Sequence, residues 1–86
     1  MEKKEYHLIQ IYDAGKGGWG PTIVHEGNPL PKVRELIGGR WTSSVGKLEE
    51  DGAAAFRNTA NGRRAFVMSM PKGLPLDAVY RVAEAR

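Results

Sequence analysis

The chain has no cysteine, and that absence removes a disulfide framework, a thiolate zinc site and a thiol nucleophile together. A reducing, cytoplasmic setting suits such a composition. Long apolar runs are missing too: nothing approaches the roughly eighteen residues that cross a bilayer. The opening MEKKEYHLIQIY carries charges but neither an apolar h-region nor a small-residue cleavage site, so neither a membrane span nor a targeting segment is expected. Histidines number only 2, and the carboxylates are scattered without compact ligand spacing, so no metal and no cofactor is expected.

No charge sign dominates strongly. The 13 Lys and Arg against 10 Asp and Glu leave +3, an excess that permits an anionic partner without requiring one. With 86 residues the chain fits one domain, residues 1–86, which buries roughly 60 to 70% of its unfolded surface. Hydrophobic content of 41% and charged content of 27% are ordinary for globular proteins, which argues against wholesale disorder.

Residues 5–12 read as a central strand, because Tyr6, Leu8 and Tyr12 fall on one side and His7, Ile9 and Ile11 on the other, leaving both faces apolar. PTIVHE (21–26) is β-branched and stops at Gly27-Asn28-Pro29, so the two strands form a hairpin around a flexible glycine-rich loop, 13–21. NPLPKVRELIGG then predicts a short helix with the stripe Val33, Leu36, Ile37 and the terminator Gly38-Gly39. RWTSSVGKLE reads as extended, closed by a turn at Glu50-Asp51-Gly52. AAAFRNTA (53–60) is ambiguous by propensity, but the Asn61-Gly62 pair before RRAFVMSM marks a hairpin. LPLDAVYRVAEAR closes the chain as a helix with Val79, Val82 and Ala83 buried. The order is ββαβββα: a small α+β domain with a mostly antiparallel sheet of about five strands and two helices on one face.

Gly15, Gly17 and Gly20 in DAGKGGWGP spell G-x-G-x-x-G after a strand. A dinucleotide fingerprint needs a helix to follow, so that the phosphate meets its N-terminus, yet here a second strand follows. A P-loop needs Ser or Thr after Gly-Lys, where this chain has Gly17, and a kinase loop needs Val where it has Thr22. The glycines therefore serve a hairpin turn. Within that turn Trp19 is the informative residue, since an exposed indole suits an interface, and Lys16 beside it offers a cation.

Arg57, Arg63 and Arg64 cluster around the Asn61-Gly62 turn. If the turn holds those two residues, Ala60 faces Arg63, Arg57 faces Phe66, and Arg57 and Arg64 project diagonally from one face. Arg40 and Trp41 make a second cation and aromatic couple. Such interleaving suits phosphate contact with base stacking on single-stranded nucleic acid. Ala65-Phe66-Val67 matches part of an RNA-recognition motif, but Arg63 and Arg64 stand where its glycine and first aromatic belong, and Ser69 where its last aromatic does, so no family is recognised.

Two registers of the first hairpin matter for catalysis. In one, Ile9 faces Ile23 and His7 faces His25, a candidate acid–base pair for a small metal-independent ribonuclease; in the next, His7 faces Glu26. The balance of these features favours a non-enzymatic binding module, with no catalytic residue. Its contacts with a protein or nucleoprotein partner run through the uncovered sheet face and the Trp19 loop, using Lys16, Trp19, Arg40, Trp41, Arg57, Arg63 and Arg64. Direct nucleic-acid binding is the alternative. The strand edges offer a further route, sheet extension or homodimerisation.

Overall fold

The computed structural model describes residues 5–38 and 42–85. The strands are β1 (Tyr6–Asp13), β2 (Gly18–Trp19), β3 (Ile23–Glu26), β4 (Thr42–Val45), β5 (Ala53–Arg57) and β6 (Arg64–Ser69). The helices are α1 (Leu30–Ile37), α2 (Leu48–Asp51) and α3 (Leu76–Glu84), and a 3₁₀ turn at Ala14–Lys16 links β1 to β2. All pairings are antiparallel, in the order β2-β1-β6-β5-β4. Because β3 also pairs with β1, six strands fill five positions: β2 lies along the C-terminal half of β1 and β3 along its N-terminal half. The expected α+β class and element order are thus observed, with α2 added where an extended run was expected. That one-turn helix is closed by Asp51, whose Oδ2 accepts from the Lys47 backbone N–H at 2.9 Å, and by Gly52.

The helices correct the sequence reading, because they cover opposite faces of the sheet. Ile9, Ala54, Phe56, Ala65 and Val67 pack with Val33 and Ile37 of α1, joined by Ile11, Ile23 and Leu48. Tyr6 and Leu8, next to Ile9 in β1 but turned to the other face, pack with Val79 and Ala83 of α3, joined by Val24, Met68 and Met70. A strand that is apolar on both sides needs cover on both, since side chains alternate across the pleat. The cover is unequal: α3 is nine residues long and contacts β3 and the N-terminal end of β1, so the far half of its face stays open.

The β5–β6 hairpin also departs from the two-residue turn. Arg57 pairs with Arg64 and Ala55 with Phe66, so Arg57 does not face Phe66. The loop is longer because Asn58 N–H donates to Arg63 O at 2.9 Å and Gly62 N–H to Asn58 O at 2.9 Å, which encloses residues 59–62. Asn58 is buried and holds the loop down: its Nδ2 donates to Ile37 O at 2.6 Å and its Oδ1 accepts from Ala60 N–H at 2.9 Å. Asn61 Nδ2 donates to the same carbonyl at 3.0 Å, so the Asn-Gly turn signal is spent on docking the hairpin to the end of α1.

Among the described residues, no helix is long and apolar enough to cross a membrane.

Candidate functional site: the open half of the sheet

The return strand of the first hairpin contains one extra residue. Ile9 and Tyr12 of β1 are separated by two residues, while their partners Ile23 and Trp19 are separated by three. Pro21, which has no N–H for a ladder, sits in that break, and Gly20 N–H still donates to Ile11 O at 2.9 Å. An added residue reverses which face the side chains take. Ile23 therefore turns toward α1, whereas Trp19 turns to the open face. The segment expected as a loop is in this way partly strand, and it aims its indole.

On that face Trp19, Tyr12, Arg64 and Arg57 form one cross-strand row. Gln10, Phe66 and Ala55 form the next. The Trp19 ring meets Tyr12 edge-on at 5.2 Å and Phe66 at 5.0 Å with a 53° tilt. Even so, Trp19 remains 55% exposed and Phe66 39% exposed. The small side chains of Ala53 and Ala55 keep the floor low beside Phe66, and a groove of about 410 Å³ runs between it, Trp19, Gln10 and Thr22. Neither Gln10 nor Thr22 makes a side-chain hydrogen bond among the described residues, although both are half-buried.

Arg57 and Arg64 are exposed. Since Asn58 N–H donates to Arg63 O, the adjacent Arg57–Arg64 pair falls at a non-hydrogen-bonded position, in which side chains lie closest. Like charges there repel, and among the described residues neither guanidinium has an acidic partner. Arg63 is used differently: its Nε donates to Asp13 Oδ2 at 3.1 Å and its Nη1 to Leu36 O at 3.2 Å, on the α1 side. Lys16 is exposed on the 3₁₀ turn, at the same end of the sheet as the arginine row. Arg40 and Trp41 lie outside the described residues. Sequence reasoning therefore named Trp19, Arg57 and Arg64 but missed Gln10, Thr22 and the role of Phe66. Alternation along β1 carried the signal for Gln10, a polar residue on the side of Leu8 and Tyr12.

His7 and His25 do come opposite one another. His7 is only 7% exposed and its Nδ1 is buried without a hydrogen-bond partner. His25 Nε2 is bonded to the Asn28 carbonyl at 3.0 Å. The His7 ring borders a second depression of about 830 Å³, between the start of α1, α2 and the sheet, whose rim lysines are already paired: Lys72 with Glu5 at 3.1 Å and Lys47 with Glu50 at 3.8 Å. Burial pushes the His7 imidazole below its ordinary 6.5, with the charge of His25 adding to this and the Gly27 backbone and Glu5 opposing it. A base whose folded value is depressed takes up its proton more readily when unfolded, so this depression favours the folded state above about pH 6.5. Stability should fall as pH drops below that value and level off beneath the folded one. In denaturant melts between pH 5 and 8, His7→Leu should lose this slope while wild type keeps it; parallel curves would show that His7 is not its source. Among the described residues no three His, Asp or Glu side chains gather as a metal site.

Compared with known proteins, the chain matches no family model, no curated protein and no solved structure. The functional conclusion therefore comes from the residues of the open face.

Proposed function

We propose that this protein is a non-enzymatic binding module whose contact surface is the open half of the sheet, between α3 and the Arg57–Arg64 row. One observation carries the reading: Trp19 is fixed by Tyr12 and Phe66 and displaced onto this face by an extra residue, yet stays 55% exposed. A large aromatic side chain held rigid but left wet is the pattern of an interface anchor, because it loses little conformational freedom on binding. The groove beside it offers apolar surface to a partner, and the two arginines give that partner's charge a sign. Acid–base catalysis gets less support, since a general base must reach its substrate and His7 is buried, with its Nδ1 out of contact with solvent.

The test is a comparison of captured material. Immobilised wild type, the double variant Trp19→Ala/Phe66→Ala and a control, Arg34→Ala on the exposed side of α1, are exposed to whole cell extract, and both protein and nucleic acid are identified. The double variant should lose about tenfold or more of a specific species that the control retains, the loss expected of two interface anchors. Equal recovery by all three folded proteins would remove the open face as the contact surface.

A further inference from the structure

We infer that the partner of the open face is single-stranded RNA, an assignment that rests on that face being the contact surface. The arginine pair supplies the first reason. Arg57 and Arg64 lie directly opposed with no acidic neighbour among the described residues, and a phosphate between them turns a repulsion into two charge-assisted hydrogen bonds. The net charge of +3 has the matching sign.

The aromatic rings supply the second. Trp19 and Phe66 adjoin the arginine row and present ring area to solvent, and unpaired bases stack on such rings at any sequence. Bases in a duplex cannot do so, because their faces are already stacked. The rings are tilted by 53° to each other, so a strand lying across both must turn between successive bases, as only a flexible single strand does.

The third reason separates RNA from other anions. Gln10 and Thr22 bring a carboxamide and a hydroxyl to the groove without partners inside the fold among the described residues. A carboxamide presents a donor and an acceptor together, the complement of a base edge, and a hydroxyl can exchange hydrogen bonds with a ribose 2′-OH, which DNA lacks. An acidic peptide would satisfy the arginines but would bring neither planar faces to the rings nor a 2′-OH to Thr22.

A labelled ten-nucleotide RNA of mixed sequence, titrated with the full chain and followed by fluorescence anisotropy over about 50 to 300 mM salt, tests this. One phosphate clamped by the two arginines predicts a slope of log affinity on log salt near about −0.7, the value for each phosphate of a single strand, and the double variant Arg57→Gln/Arg64→Gln should bring it close to zero. Trp19→Ala and Phe66→Ala should each weaken binding about 5- to 150-fold, the range for one lost stacked base, while leaving the slope unchanged. The DNA of the same sequence should bind more weakly, and Thr22→Val should remove that difference. A flat salt response, full affinity in Trp19→Ala, equal affinity for the DNA, or tighter binding of an acidic peptide than of RNA would each overturn the assignment. Failure of RNA binding alongside a double variant that still loses its captured species overturns only the RNA assignment. Unchanged capture overturns the contact surface itself.

Discussion

Gly38→Ala is expected to destabilise the protein by about 3 kcal/mol or more, although it adds a single methyl group. Gly38 ends α1 at φ 105 and ψ 170, a conformation that side chains other than hydrogen rarely adopt and that costs roughly 1 to 3 kcal/mol when forced. A Cβ there would also lie 2.7 Å from Nδ2 of Asn58, the buried amide that fastens the β5–β6 loop to Ile37 O. Moving that amide weakens a buried hydrogen bond, at a further cost of about 1 to 3 kcal/mol. Both costs fall on the one substitution, and only the second depends on Asn58. Asn58→Ala alone should cost about 2 kcal/mol, and in its background Gly38→Ala should cost less than in wild type, because the amide is no longer there to be displaced. Urea melts of the four proteins measure the coupling; strict additivity would mean that Asn58 and Gly38 do not meet as described.

This junction also shows where the sequence could be read and where it could not. Asn-Gly between two β-rich runs was rightly a hairpin signal, and 53–57 and 64–69 are its strands. Loop length was not legible, because Asn58 and Asn61 are committed to a carbonyl more than twenty residues away in the chain. The consequence for the site is a register two residues from the expected one. Such a shift keeps every side chain on its face, so Arg57 and Arg64 were rightly placed together while their partners were not.

The placement of the helices failed for a different reason. The stripes Val33, Leu36, Ile37 and Val79, Val82, Ala83 were correct, but a stripe says that a helix is covered on one side and not which sheet face does it. The information lay in β1, where Tyr6 and Leu8 needed cover as much as Ile9 did. Trp19 was the hardest case. Its orientation depends on one uncounted residue around Pro21, and a single-residue slip inverts a face with no change in composition or alternation.

Ile9→Ala is expected to give the largest loss, on the order of 4 kcal/mol. Ile9 is completely buried at the centre of β1, between Ile23 of β3 and Val67 of β6 and within the cluster that contains Val33 and Ile37 of α1. Truncation removes its apolar contacts and leaves a cavity whose walls are strands locked on both sides, which limits relaxation. A domain of this size has about 4 to 13 kcal/mol of stability in all, so the loss corresponds to a fall in melting temperature on the order of 20 °C. Ile9→Val, which keeps most of the volume, should cost only about 1 kcal/mol. The functional consequence follows from the pleat: β1 packs Ile9 into the core and carries Gln10 and Tyr12 on the open face, one and three residues away. Thermal melts of the two variants, with partner binding assayed well below each melting temperature, separate stability from recognition. Binding should survive in Ile9→Val and weaken in Ile9→Ala as the sheet loosens. An Ile9→Ala protein that melts within about 5 °C of wild type would show that this position is not the centre of the core.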